Sequence, residues 1–130
     1  MDAQSLLPFW GLEQKNIVSL IATDIDQIDQ TIKYVAGLDI SFVRTNDKAV
    51  AAMVIFDYET LSIVAKISIN CHMKIPYIPS YLAFLEAPVL MKLIDILQEN
   101  CPELTPQVIL IDGNGVWHPT FQCAQWNSVF

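Results

Sequence analysis

The chain has few basic residues for its length. Of its 130 residues, 7 are Lys or Arg and 14 are Asp or Glu, which gives a formal net charge of −7 at pH 7. Proteins that bind nucleic acid usually meet the phosphate backbone with Lys and Arg side chains. The composition therefore counts against nucleic-acid binding, except where acidic side chains are neutralised by bound cations.

Cysteines are also scarce. The three that are present, Cys71, Cys101 and Cys123, are odd in number, far apart and outside the spacings typical of metal sites. This pattern disfavours both a disulfide framework and a zinc site. We expect reduced thiols in an intracellular protein of the cytoplasm or the nucleus, including the nucleolus.

Long apolar runs are absent as well. More than half of the residues are apolar, but no run exceeds eight, so no segment is long enough to cross a bilayer and no membrane partner is expected. The N-terminal residues lack a basic stretch before an apolar core, so no secretory signal is expected either. The length predicts one domain with a sizeable core.

Three carboxylates occur in apolar surroundings. Asp39 interrupts a strand-like run, Glu86 follows an apolar segment that begins after two prolines, and Asp112 ends the run 108–111. A carboxylate removed from water is costly unless it is paired, hydrogen-bonded or bound to a cation. Taken singly, each has an ordinary interpretation: a hydrogen-bonded strand residue, a helix-surface charge and a solvated strand end. Together they predict one metal site.

The first half of the chain predicts a helix followed by a meander. Residues 8–21 have helical spacing, with Pro8 suited to the first turn. Three strand-like segments follow, separated by turn-forming residues at 45–47 and 57–60, which favours antiparallel hairpins. The predicted strands are residues 34–43, 48–56 and 62–72.

The second half predicts helices and one more strand. Pro79 can start a helix, and Pro88 is expected to break or restart it, because the residue before a proline avoids helical angles. Apolar residues at helical spacing continue to Asn100, and Pro102 follows. The short apolar run 108–111 is typical of a parallel strand buried on both faces.

The order of elements predicts an α/β fold. Crossover connections between parallel strands are right-handed, so the last strand is expected beside the first. This places Asp39 next to Asp112, with Glu86 above them on the crossover helix, at the edge where α/β sheets bind ligands. The expected architecture is a ribonuclease H-like sheet of three antiparallel strands, then helices and a parallel strand, incomplete on its C-terminal side.

Three motifs resemble the endonuclease V family. They are residues 37–42 (GLDISF), residues 76–86 (PYIPSYLAFLE), and residues 112–115 (DGNG) followed by the His-Pro pair at 118–119. The resemblance implies a ribonuclease H-like fold and hydrolysis of a phosphodiester bond on the 3′ side of inosine or deoxyinosine. It further implies Mg²⁺ as cofactor, with Mn²⁺ as an alternative, and single-stranded or structured RNA or DNA as substrate.

The resemblance also implies roles for particular residues. It assigns Asp39, Glu86 and Asp112 as catalytic metal ligands and places His118 near the scissile phosphate. It assigns substrate binding to a wedge around a tyrosine and to a glycine turn; these residues are Pro76, Tyr77, Ile78, Pro79, Gly113, Asn114 and Gly115. By residue type alone, the tyrosine is equally an anchor for a proline loop, the glycines an ordinary turn, and His118 uninformative.

The chain departs from the family pattern at two places. Leu85 stands where the family has an arginine before the glutamate. Residues 120–130 stand where the family continues with a segment that contains Ala-Ser-His. We therefore expect a helical leader over 1–31, the N-terminal part of the family domain over 32–119, and an unrelated tail over 120–130.

That organisation predicts a poor or inactive nuclease when the chain acts alone, with an open strand edge that favours self-association. The alternatives are a catalytically dead remnant that binds nucleic acid or protein, and a nuclease completed by a partner chain.

Overall fold

The computed structural model describes residues 3–18, 31–43, 45–73 and 82–112. Two helices, one short 3₁₀-helix and four strands lie in these ranges. In chain order they are α1 (Ala3–Val18), β1 (Tyr34–Phe42), β2 (Lys48–Asp57), β3 (Ile63–His72), α2 (Leu82–Asn100), the 3₁₀-helix Pro102–Leu104 and β4 (Val108–Ile111).

The chain divides into two compact units. The first comprises Met1–Gln27, Ile75–Leu85 and Gly113–Phe130, and the second comprises Ile28–Lys74 and Glu86–Asp112. In the first unit, the rings of Trp10 and Phe84 stack with centroids 5.2 Å apart and an interplanar angle of 9°. The second unit contains the whole sheet and most of α2, and it holds all three predicted carboxylates.

The sheet has the strand order β3-β2-β1-β4. β1 pairs antiparallel with β2, β2 pairs antiparallel with β3, and β4 pairs parallel with β1. The predicted meander is confirmed, with strand ends within one residue of the prediction. The predicted position of the last strand beside the first is confirmed as well.

The β2–β3 connection is organised by Asp57. Its Oδ1 accepts hydrogen bonds from the amides of Glu59 and Thr60, at 3.1 and 2.9 Å, and from the Thr60 hydroxyl at 3.1 Å. The hydrogen bond from the Thr60 amide is the main cause that lowers the pKa of Asp57 below 3.8. Leu61 follows at a φ of 57°, so this turn uses a left-handed residue that is not glycine.

One face of the sheet is buried. Residues of β1 and β2 that share this face through the antiparallel register are at most 6% exposed, and a stripe of α2 at helical spacing is equally buried. These residues form the core of the second unit: Ala36, Leu38, Ile40, Ala49, Ala51, Met53, Ile55, Leu90, Leu93, Ile94 and Leu97. The opposite face, which carries Gly37, Asp39 and Ser41 of β1, is named the open face below.

Each helix contains a proline in its interior, contrary to the prediction. α1 begins at Ala3, so Pro8 lies inside the helix and not in its first turn. α2 continues through Pro88, which was expected to break it. Each proline removes one backbone donor, but Pro88 is exposed and the buried stripe of α2 continues past it. Burial of the helix face therefore outweighs the local preference of proline.

The expectation that β4 is buried on both faces is also wrong. Val108, Ile109 and Ile111 are half-buried, and Leu110 is 62% exposed. Among the described strands, β4 has a neighbour on one side only, so it is an edge strand. No helix in the described ranges is both long and apolar enough to cross a membrane.

Candidate active site

Asp39 and Asp112 are neighbours across the β1–β4 pair. The parallel register ends with Leu38 opposite Ile111, and the two aspartates are the next residue on each chain segment. Aligned residues of parallel strands point to the same face, and side chains alternate along each strand. Asp39 therefore lies on the open face, its Oδ1 accepts a hydrogen bond from the Ile40 amide at 2.9 Å, and both aspartates are exposed.

Glu86 reaches the same region from α2. It lies one turn before Leu90 on the stripe that continues through Leu93 and Leu97, and it is only 8% exposed. The helix therefore places this carboxylate among apolar side chains. A charge held there loses hydration without gaining a basic partner, because in the described structure Glu86 has no salt bridge.

The electrostatics of Glu86 connect the three carboxylates. Its pKa is raised from 4.5 to about 7; burial is the main cause, and the charges of Asp39 and Asp112 contribute in the same direction. The three groups are thus close enough for their charges to act on one another. A cation bound between them would replace this repulsion with attraction. A raised pKa of one carboxyl group beside two other carboxylates is therefore expected at a metal site.

The donor set fits a hard divalent cation. Three carboxylates offer oxygen ligands only, and Mg²⁺ prefers a small number of carboxylates together with water and phosphate oxygens. In the described ranges, no group of three or more His, Cys, Asp or Glu side chains stands in metal-binding geometry. The assignment of Asp39, Glu86 and Asp112 as ligands therefore stays a prediction that the electrostatics support.

The remaining predicted site residues lie outside the described part of the chain. They are Pro76, Tyr77, Ile78, Pro79, Gly113, Asn114, Gly115 and His118. Their roles stay predictions. Leu85, which stands where the family pattern has an arginine, is 6% exposed and so belongs to the interior.

The structure brings together a second group of residues that the sequence analysis missed. Lys48 and His72 are directly opposite each other on β2 and β3, and Asn70 is two residues before His72 on the same face. The sequence analysis assigned no functional role to any of these three residues. The predicted hairpin turns contained the necessary signal, because turn lengths set which residues of the two strands face each other.

The comparisons with known proteins agree with the motifs. The family model for Endonuclease V matches residues 16–123. The chain belongs to the endonuclease V family. It is 37% identical over 122 residues to the endonuclease V of Mus musculus, covering 88% of this chain and 36% of the mouse protein.

Solved structures of family members show the same fold. The chain superposes on Ciona intestinalis endonuclease V, in complex with a 23mer DNA containing an inosine followed by a ribo-adenosine, with a TM-score of 0.83 and 30% identity; this covers 95% of this chain and 51% of that one. For the catalytic domain of human endonuclease V the TM-score is 0.80 at 33% identity, with 92% and 51% covered. The fold is ribonuclease H-like, as predicted, and the chain spans about half the length of these relatives.

Proposed function

We propose that this protein is a divalent-metal-dependent endonuclease that cuts a nucleic-acid strand on the 3′ side of inosine or deoxyinosine. The observation that carries the proposal is the raised pKa of buried Glu86 under the charges of Asp39 and Asp112. Family membership supports phosphodiester hydrolysis as the reaction. The inosine-containing DNA bound to the Ciona intestinalis protein supports the substrate class.

The residues divide the work of hydrolysis between them. Asp39 and Asp112 present exposed oxygen atoms at the end of the β1–β4 pair, where a phosphate can approach from the open face. Glu86 contributes a third carboxylate from a less hydrated position. At pH values above its pKa of about 7, this carboxylate is ionised and can bind a cation. A Mg²⁺ or Mn²⁺ ion bound there would neutralise phosphate charge and increase the acidity of the attacking water. Water adds to phosphorus as the bond to the 3′ oxygen breaks, leaving a 3′-hydroxyl and a 5′-phosphate.

Incubation of the purified 130-residue chain with inosine-containing strands tests this proposal. Because the chain acting alone is predicted to be a poor nuclease, we expect slow Mg²⁺-dependent cleavage of inosine-containing RNA or DNA strands. We expect no cleavage of matched strands with guanosine in place of inosine, and loss of activity in EDTA. Asp39→Ala should lower the rate at least about a hundredfold, the scale for removing a group that stabilises transition-state charge. Asp95→Asn, which changes an exposed acid on α2, is the matched control and should retain the wild-type rate.

A second candidate is a binding module that does not cleave. It is favoured by the span of the chain, which covers about half of the structures it matches. Fluorescence anisotropy with an inosine-containing oligonucleotide separates the two functions. Binding without cleavage, unchanged in Asp39→Ala, would support the binding module and contradict the nuclease.

A further inference from the structure

The open face of the sheet continues away from Asp39 as an exposed polar surface. Through the antiparallel register, Asp39 is opposite Ala52, which is opposite Ser68, and Ser41 is opposite Val50, which is opposite Asn70. Ser41, Ser68 and Asn70 are exposed. A Cβ atom added at Gly37, beside Asp39, would meet nothing within 4 Å. A nucleic-acid strand lying across this face would therefore meet the polar groups of Ser41, Ser68 and Asn70.

This surface leads to a pocket of about 440 Å³. Most of its lining side chains belong to the open face by the alternation of their strands. They are Val43, Lys48, Val50, Asn70 and His72, and Ala49 and Cys71 complete the lining. The pocket thus combines a lysine, a histidine and an amide with small apolar groups, at the end of the sheet where β1 finishes.

The charges in the pocket favour an anion. Asp47 is already engaged, because its Oδ2 lies 3.3 Å from Nδ1 of His72. Among the described residues, the Lys48 ammonium has neither an ion-pair nor a hydrogen-bond partner. When both ring nitrogens carry protons, His72 can donate from Nδ1 to Asp47 and from Nε2 to an anion. Lys48, the Asn70 amide and Nε2 of His72 can then all donate to the same anion.

The distance from Asp39 defines which anion this is. Lys48, Asn70 and His72 lie one or two strands across and two to four residues along from Asp39, which is about 12–17 Å at about 4.8 Å between strands and 3.4 Å per residue. A nucleic-acid strand covers this distance within a few nucleotides, because its backbone carries one phosphate per nucleotide. The pocket is therefore placed for a phosphate of the strand that is cut, and not for the scissile phosphate itself.

We infer that the pocket formed by Lys48, Asn70 and His72 binds a backbone phosphate of the substrate strand, a few nucleotides from the scissile phosphate. This subsite rests on the proposed function. It gives an acidic chain a place to hold nucleic acid, because the Lys48 ammonium on the open face has no partner among the described residues. It also fixes the direction in which the strand leaves the carboxylates, across β2 towards β3.

Neutral phosphate analogues test the subsite directly. Inosine-containing oligonucleotides are prepared with a single methylphosphonate linkage at successive positions on either side of the cleavage point. Their affinity for the full 130-residue chain is measured by fluorescence anisotropy with Ca²⁺ in place of Mg²⁺. We expect one position, a few nucleotides away, at which the neutral linkage weakens wild-type binding about 3- to 10-fold. Lys48→Gln and His72→Gln should weaken binding of the unmodified strand similarly and be insensitive to the linkage at that position.

A matched control isolates the subsite from general electrostatics. Lys33→Gln makes the same charge change at the opposite end of β1, where the ammonium lies 5.1 Å from the Tyr34 ring centroid. It should keep the wild-type affinity and the wild-type dependence on linkage position. Lys48→Gln should also lower the slope of log affinity against log salt by about one, whereas Lys33→Gln should not. Circular dichroism checks that all variants are folded.

The outcomes separate the subsite from the nuclease function. The subsite is contradicted if Lys48→Gln and His72→Gln keep the wild-type affinity, as Lys33→Gln is expected to do. It is also contradicted if the neutral linkage has the same effect at every position, even when the wild type cleaves. A positional effect that Lys48→Gln abolishes supports the subsite even when no cleavage is seen, and in that case only the proposed nuclease activity fails. Absence of wild-type binding would contradict both.

Discussion

Glu86 is a residue that lowers the stability of the fold at high pH and is also a proposed metal ligand. Its carboxyl group lies on the buried stripe of α2, yet two aspartates act on it from the end of the β1–β4 pair. The pKa of about 7 means that the folded protein holds a proton on Glu86 at pH values where the unfolded chain has lost it. Without a cation, this group therefore makes the protein less stable as the pH rises.

Glu86→Gln should remove that pH dependence. The contribution of Glu86 is fully present below pH 4.5 and is lost as the pH rises through about 7, because the raised pKa belongs to the folded state. In EDTA we expect Glu86→Gln to match the wild type near pH 4.5 and to exceed it at about pH 8 by up to about 3 kcal/mol in the free energy of unfolding. Denaturant titrations across this range provide the measurement.

The exposed Glu99 on the same helix offers a control, since Glu99→Gln should follow the wild-type pH curve. Addition of Mg²⁺ should then stabilise the wild type more than Glu86→Gln, because binding to the folded state adds stability. Parallel pH curves for wild type and Glu86→Gln in EDTA would show that Glu86 titrates normally.

At the scale of elements, the β2–β3 connection contains a strained residue. Leu61 is 73% exposed, so its side chain contributes little packing, and its φ of 57° places a branched side chain in the left-handed region. The amide of Leu61 donates to the carbonyl of Asp57 at 2.9 Å, which keeps the backbone in this conformation. Left-handed angles cost an L-residue about 1–2 kcal/mol, and glycine avoids most of this cost.

Comparison of Leu61→Gly with Leu61→Ala should reveal this strain. Both variants remove the exposed side chain, but only glycine relieves the backbone. We expect Leu61→Gly to be more stable than Leu61→Ala by about 1 kcal/mol in the free energy of unfolding, the reverse of the usual order in strands and helices. Thermal or urea unfolding of the two proteins measures the difference. Greater stability of the alanine variant would mean that Leu61 relaxes to negative φ in solution.

At the scale of the whole molecule, net charge and an exposed strand edge act in opposite directions. A charge of −7 keeps copies of the chain apart, whereas β4 exposes Leu110 at the edge of the described sheet. Screening by salt reduces the repulsion without weakening apolar contact. We propose that self-association through β4, where it occurs, increases with ionic strength.

Leu110→Gln should abolish this self-association. Sedimentation velocity at increasing salt and protein concentration should show a rising average mass for the wild type and a constant monomer mass for Leu110→Gln. Leu61→Gln changes an equally exposed leucine that is not on β4, and it should associate like the wild type. Association that persists in Leu110→Gln, or that disappears in both variants, would show that the β4 edge is not the contact.

Much of the fold was predictable because local patterns carried it. Alternation and turn residues located β1, β2 and β3, a continuous apolar run located β4, and the handedness of crossover connections placed β4 beside β1. The effects of Pro8 and Pro88 were predicted wrongly because a proline acts locally on a helix, whereas the burial of a helix stripe is a property of the packed structure. The exposure of Leu110 was missed for a related reason: an apolar run looks the same whether its neighbours are present or not.

The candidate site, like the fold, was predictable from the sequence only in part. The sequence by itself determined which carboxylates to consider, through their apolar settings and their motifs, and the strand register that brings Asp39 beside Asp112 follows from patterns along the chain. Only the tertiary structure decided that Glu86 is buried within reach of both charges, and that Lys48 and His72 share a pocket on the open face. Electrostatic energies depend on distance and hydration in three dimensions, and neither quantity can be obtained from separation along the chain.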